Sequence, residues 1–523
     1  MRCEVLVIGG GTTGAGIARD LSMRGVEVVL LEKNDFSTGA TGRSQGMLHS
    51  GARYAVKDPD SARECAEENA ILKEIAPFCV EDTGGMFIGL DPSDVDYLDP
   101  FLRGCRATGV GATELGLDEA FEMEPDISPY TQAAVYVPDA YVDPFLLTRS
   151  NVAEARALGA QVRNHCQVVG MELWEEEVIE VRIRDRRSTF LEVIKPEIVV
   201  NATGAWGDMI ASMVGLRIPI RVDKGSLVIL NGRKTKGLVN RLRPPSDGDI
   251  IVPSHSSSIA GTTCMEVSGP DDCHATMEEV LIIMREVAKM VPSLEGARAV
   301  RAYAGIRPLP ADSDEGRDIS RVFKLLDHST DGVDNMISII GGKLTTYRLM
   351  AEKVSDAVMS KLGRKGDCRT AKVGLGAECP HHDLEGLNAI NASRIAAKYG
   401  ADCTLISEKC RSEPRGMETL CSCEQVLRGE AVYFAASEDV MSLADLLRRT
   451  RAGMGYCQSG MCVLRSLSVM EEAGADPLPL LEEFMEERWN GVSPVVFDSQ
   501  LRQEIFKLHL NVSLSLENGG EEH

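Results

Sequence analysis

The sequence predicts an α/β protein: a Rossmann-like domain carrying an inserted, mainly β, domain, followed by a small helical module. Three observations carry this expectation. The chain opens on a strand, a glycine turn, a helix and a second strand. A second strand, glycine turn and helix pattern stands near residue 340. Cysteines at 379, 403, 410, 421, 423, 457 and 462 crowd one short stretch of a chain that holds 15 in all.

Taken in order, Val5-Leu6-Val7-Ile8 reads as a buried strand and residues 9–14 as a glycine turn. Residues 15–24 read as a helix stopped by Gly25, and 26–31 as a second strand ending before Glu32. G-x-G-x-x-G in this setting is a dinucleotide-binding fingerprint. Gly9 allows the tight turn, Gly11 lets the backbone approach a pyrophosphate, and Gly14 permits close helix–strand packing. The helix N-terminus offers N–H groups and partial positive charge to the anion. Glu32 can accept hydrogen bonds from both ribose hydroxyls, and its charge disfavours a 2′-phosphate.

Further strands are expected at 133–137, 178–183, 197–200 and 226–230, and helices at 61–75, 143–157 and 277–290. The strand 336–340 leads into Gly341-Gly342-Lys343 and a helical pattern to about residue 362. The first unit is therefore placed at 1–362, with the nucleotide-binding part at 1–90, 145–225 and 325–362. The inserted β part takes roughly 91–144 and 226–324. Residues 363–385 read as a linker, 386–470 as the helical cysteine-bearing module, and 471–523 as a C-terminal segment. That segment shows amphipathic helices near 480–489 and 500–508.

A chain of 523 residues with 44% hydrophobic and 26% charged residues has the balance of a globular protein, not of a disordered or collagen-like one. Its net charge of −23 lacks the basic footprint of a nucleic-acid binder. No run of 18 apolar residues suggests a membrane span, and the N-terminus lacks a signal-peptide pattern. A cytoplasmic setting with reduced thiols is expected. In that setting a cysteine cluster favours a metal or iron–sulfur site over disulfides.

The fingerprint alone serves FAD or NAD. The segments 199–206 (VVNATGAW) and 339–347 (IIGGKLTTY) favour FAD, because a second glycine turn supplies N–H donors to a flavin edge, with Lys343 beside it. Residues 37–54 (STGATGRSQGMLHSGARY), 137–144 (VPDAYVDP), 304–309 (AGIRPL), 341–350 (GGKLTTYRLM) and 488–494 (RWNGVSP) then resemble FAD-dependent glycerol-3-phosphate dehydrogenases. The likeness is greatest to the A subunits of the anaerobic enzymes. It implies a D-amino-acid-oxidase-like fold and FAD contacts from Gly9, Gly11, Thr13, Gly14, Glu32, Lys33, Thr41, Ser44, the backbone of Val168, Thr203, Gly204, Gly342, Lys343 and Leu344. Gln45 stands where several relatives carry His or Lys, and non-covalent FAD is expected.

Oxidising the C2 alcohol of glycerol 3-phosphate needs a phosphate clamp, a base, and a C–H bond aimed at the flavin. Arg53 and Arg307 match the family's substrate-facing positions and suit phosphate by bidentate hydrogen bonding. His49, which with Tyr54 flanks Arg53, is the candidate base. Lys343 is a candidate to polarise the alcohol, and His255 is a weaker alternative base.

Cys421 and Cys423 form C-x-C, and Cys457 and Cys462 form C-x4-C. The pattern resembles the small [2Fe-2S] module of bacterioferritin-associated-ferredoxin type, in which four thiolates hold two irons. Structural zinc more often uses C-x2-C pairs. Cys403 and Cys410 are weaker ligand candidates, and Cys379-Pro380-His381-His382 is read as a chance grouping in the linker. Arg448, Arg449 and Arg451 either offset the cluster's charge or form a solvated basic face. The resemblance implies electrons leaving by the cluster to partner subunits of a membrane-associated complex and a quinone-type acceptor. The chain itself would sit peripherally on the inner face of the membrane. A FAD dehydrogenase of another small 2-hydroxy acid and a non-catalytic electron-transfer subunit remain rival readings.

Overall fold

A computed structural model describes residues 1–311, 322–376, 379, 384 and 386–518. Its first sheet has a parallel core in the order Met336–Ile340, Leu191–Asn201, Arg2–Ile8, Val28–Leu31, Gln161–Arg163. Val28–Leu31 is apolar at every position and buried at every position, as a strand covered on both faces must be. The helices Thr12–Met23 and Tyr347–Lys361 contribute to one core with these strands. The antiparallel strands Cys166–Trp174 and Glu177–Asp185 extend the sheet beyond Leu191–Asn201.

Among the described residues the second sheet has nine strands. Its longest pairing is antiparallel, Ile220–Leu230 against Ala299–Pro310, with Asp223 opposite Arg307. Helix Met277–Met290, started by a Thr276–Glu279 capping box, buries Val280, Ile283 and Val287 against this sheet. The expected insertion limits at 91 and 226 need correction. Gly85–Gly89 already pairs with Ala133–Val137 and Leu238–Arg241, and Ile220–Leu230 is one unbroken strand. Both limits follow local pattern, whereas the strand pairs are long-range.

The module packs the helices Ala389–Tyr399, Cys403–Ser412, Arg428–Ala435, Leu443–Thr450 and Val463–Glu472 around one core. Leu481, Phe484 and Met485 belong to the same core, so helix Pro477–Val492 shares it rather than forming a separate segment after 470. Val492, Val495 and Val496 join the core of the second sheet. The last helix, Asp498–Asn518, is longer than the expected 500–508.

Within the expected linker, Leu375 is buried, and its N–H donates to Ile75 O at 2.7 Å. The expectation of wholly reduced thiols also needs correction. Cys379 is disulfide-bonded to Cys403, because the chain folds back on the start of helix Cys403–Ser412 with a Cα separation of 5.9 Å. That pairing removes Cys403 from the candidate ligands. His381 and His382 lie outside the described residues. No helix among the described residues is long and apolar enough to cross a membrane.

Candidate functional site

A cavity of about 710 Å³ runs between the two sheets. One end is the glycine turn. Gly9 has φ +114°, and a Cβ there would stand 2.5 Å from Ala202 O. A Cβ on Gly14 would stand 1.9 Å from Gly9 O, so only glycine lets the helix start this close to the strand. Gly11 is the N-cap of Thr12–Met23 and supplies no side-chain cap. The Thr12 N–H donates to Thr41 Oγ1 at 3.1 Å, tying residues 37–45 over the helix start.

Glu32 follows the second strand. Its carboxylate accepts from Gly10 N–H at 2.7 Å and Asn34 N–H at 2.9 Å. Burial pushes this carboxyl above its ordinary range, and the two N–H donors and Lys33 oppose the rise. Lys33 lies over the Trp206 ring, 4.0 Å from its centroid.

Thr13, Thr41, Ser44, Val168, Thr203, Gly204, Gly342, Lys343 and Leu344 also line the cavity, as do Gly9, Gly11, Glu32 and Lys33. Gly14 lies behind the wall. His49, Arg53, Tyr54 and Arg307 line the same cavity. The His49 N–H donates to Thr345 Oγ1 at 3.0 Å, joining the segments 37–54 and 341–350. Tyr54 packs edge-on to the His49 ring, with centroids 5.3 Å apart, and takes the Lys343 ammonium on its face at 4.7 Å. A candidate base and a cation thus meet on one ring.

Both arginines have counterions that sequence reading missed. Arg307 Nη1 donates to Asp223 at 2.6 Å, and its Nη2 to Thr262 Oγ1 at 2.9 Å. Arg53 lies 3.5 Å from Asp249. These acids are 84 and 196 residues away from their partners, so no local signal marks them. Arg53 Nη1 and Gln45 Nε2 are buried donors without a protein partner among the described residues. Such orphans fit a site built around a polar ligand. Next to His49, the Ser50 N–H donates to Asp139 at 2.7 Å, and burial pushes that carboxyl up to about 6.

His255 does not reach this cavity, which removes it as an alternative base. It sits on the hairpin between Ile250–Ser254 and Ser257–Gly261, with its ring 3.5 Å from Asp143 and T-stacked on Tyr141. Sequence position leaves its direction open, and the hairpin turns it toward the helical module.

The four cysteines of the module come together as two pairs. Cys421 lies beside Cys462, and Cys423 beside Cys457. The Cys462 contact, helped by the Gly453 N–H, brings the Cys421 thiol down to about 6, while burial raises Cys423 to about 11. Among the described residues, no three of these sulfurs lie within 4.8 Å of one another. Cys410 is buried, and burial pushes its thiol up to about 12. The three arginines are not a solvated basic face. Arg451 is buried between Asp143, at 2.7 Å, and Glu424, at 3.2 Å, while Arg448 and Arg449 bind Asp35. Arg448 and Arg449 fasten the module to the nucleotide-binding unit, and Arg451 fastens it to Asp143, the N-cap of helix Pro144–Ala157.

Residues 4–348 match the family model described as FAD dependent oxidoreductase. The chain belongs to this family. It is also similar to the A subunit of the anaerobic glycerol-3-phosphate dehydrogenase of Escherichia coli (strain K12), 42% identical over 518 residues, covering 96% of this chain and 95% of that protein. The A1 subunit of the enzyme of the same name from Haloferax volcanii is 39% identical over 532 residues, 98% of this chain and 90% of that one. Among solved structures, the glycerol-3-phosphate dehydrogenase from Bacillus halodurans complexed with FAD matches with a TM-score of 0.73 at 23% identity, covering 95% of this chain and 97% of that one. That likeness speaks for the fold. This flavoenzyme therefore has the D-amino-acid-oxidase-like architecture expected from its motifs.

Proposed function

We propose that this flavoenzyme oxidises sn-glycerol 3-phosphate to dihydroxyacetone phosphate. One observation carries the reading: a single cavity is lined both by the dinucleotide turn and by His49, Arg53, Lys343 and Arg307. The name shared by the relatives gives the substrate class. FAD bound along this wall supplies the hydride acceptor.

The chain's own residues do the rest. Arg307, oriented by Asp223 and Thr262, and Arg53, with an unpartnered Nη1, hold the phosphate oxygens. His49 takes the proton of the C2 hydroxyl as the C2–H bond gives up its hydride. The Lys343 ammonium, kept on the Tyr54 face, lowers the cost of developing alkoxide charge. Glu32, fixed by two backbone donors, receives ribose hydroxyls, and Gly11 and Thr13 offer the helix start to the pyrophosphate.

In the same reading, Cys421, Cys423, Cys457 and Cys462 hold a [2Fe-2S] cluster, which supplies one-electron relay. The pairing of the thiols supports two irons over one zinc. Tetrahedral zinc at about 2.3 Å from each sulfur would bring all four within about 3.8 Å of one another. Partner subunits, in keeping with relatives named as A subunits, would take those electrons on to a quinone-type acceptor. The chain is held at the inner face of the membrane through those partners.

The test is an anaerobic titration with sn-glycerol 3-phosphate. Bleaching of the flavin band, with partial reduction of a broader iron–sulfur band, is expected. A flavin reduced by dithionite but not by this substrate refutes the substrate, and reduction by lactate instead would favour a 2-hydroxy acid. Zinc in place of two irons and two labile sulfides per chain overturns the cluster.

A further inference from the structure

We infer that Asp35, Arg448 and Arg449 form a latch that couples FAD binding at the ribose loop to docking of the cysteine module. The inference rests on FAD lying along the Glu32 wall and is independent of the substrate and of the metal in the module.

The loop that carries Glu32 continues through Asn34 to Asp35, which is only 1% exposed. Its carboxylate faces the module instead of solvent. Arg449 donates to both oxygens, at 2.6 and 2.7 Å, and Arg448 Nε donates at 2.8 Å. Asn164 Nδ2 adds a fourth donor at 3.0 Å. Arg448 also reaches Asp445 at 2.7 Å, and Asp445 is hydrogen-bonded to His165 Nε2 at 2.8 Å. The His165 and Cys166 N–H groups return to Asn34 O and Glu32 O, each at 2.8 Å. Val168, two residues on from Cys166, lines the cavity. Helix Leu443–Thr450 therefore grips both segments that border the nucleotide's ribose end.

Asp35, His165 and Asp445 are close enough together to suggest a metal site. The two guanidinium groups already balance the two carboxylates, so the charge a cation would supply is in place. The consequence is mechanical and electrostatic. Without Arg448 and Arg449, Asp35 becomes a buried, uncompensated anion whose charge acts on Glu32. The loop must then open toward water, and the ribose acceptor moves with it. Reciprocity requires the converse: FAD, by fixing the loop, must strengthen the docking of the module. Arg448 and Arg449 are positioning residues for the cofactor, supplied from outside the cofactor-binding unit.

The experiment measures FAD dissociation from the full chain by recovery of free-flavin fluorescence, together with hydrogen exchange in the presence and absence of FAD. Arg449→Ala is expected to weaken FAD binding at least about tenfold. Arg449→Lys, which keeps the charge but not the paired hydrogen bonds, should fall between it and the parent. Removing FAD from the parent should raise exchange in Leu443–Thr450 while leaving Met277–Met290, which does not line the cavity, unchanged. FAD affinity within twofold of the parent in Arg449→Ala overturns the latch, as does exchange at Leu443–Thr450 that ignores FAD. Should Arg449→Ala fail to fold, Asp35→Asn carries the same measurement without stranding a buried anion.

Discussion

Gly14→Ala tests the nucleotide end of the cavity with a single carbon. That carbon would lie 1.9 Å from Gly9 O, against an ordinary contact of about 3.3 Å. Relief needs a shift of about 1.4 Å, close to the rise of one helical residue. No rotamer change can supply it, because the obstructing atom is backbone. Gly9 cannot yield either, since it is at φ +114° and backs onto Ala202 O. The cost falls at the upper end of the overpacking range, about 3 kcal/mol. The displaced helix start also withdraws its N–H groups from the pyrophosphate. Urea unfolding of apoprotein and FAD content of the purified variant read the two effects. The control is Gly269→Ala, where a Cβ meets nothing within 4 Å and φ is not positive. It should stay within about 0.5 kcal/mol of the parent. A Gly14→Ala protein with full FAD and a stability loss no larger than the control's would refute the steric argument.

Arg307→Ala removes the partner of Asp223 and one arm of the phosphate clamp, so kcat/KM for glycerol 3-phosphate should fall at least about 100-fold. Its flavin spectrum should be unchanged; normal steady-state turnover sinks the assignment. Asp139, whose carboxyl is raised from 3.8 to about 6, binds its proton more tightly in the folded state. Its contribution to stability is therefore full below about pH 4 and declines as pH rises through 6, a loss of about 3 kcal/mol. Asp139→Asn should flatten that decline in urea unfolding measured from pH 4 to 7. Cys421→Ser together with Cys462→Ser should abolish iron binding, measured by metal analysis, while leaving substrate-dependent flavin bleaching in place. Reducing the Cys379–Cys403 disulfide, which closes a loop of sequence separation 24, should lower stability by roughly 3 kcal/mol in denaturant titration.

Much of the cavity was legible in the sequence because its determinants are contiguous. A buried strand, three spaced glycines and a carboxylate 18 residues beyond Gly14 occupy one βαβ unit, and local backbone geometry dictates their roles. The segments 37–54 and 341–350 could be joined only by the resemblance. The structure supplies their contact, from His49 N–H to Thr345 Oγ1. The insertion limit at 91 failed because Gly85–Gly89 owes its place to Ala133–Val137 and Leu238–Arg241, not to its own pattern. His255 was misplaced, and the partners of the three arginines of 448–451 were missed, for a related reason. A charged side chain's partner depends on which surface it meets, and composition carries no direction.

The sequence by itself determined the dinucleotide turn and the choice of a carboxylate at Glu32. These follow from short-range geometry, where neighbours in the chain are neighbours in space. Only the tertiary structure decided what neutralises the buried charges. Asp223 meets Arg307 across antiparallel strands, Asp35 meets Arg448 and Arg449 from 413 and 414 residues away, and Cys379 meets Cys403. Burying an ion far from water requires a partner. Which partner is available is settled by how the sheets and helices pack.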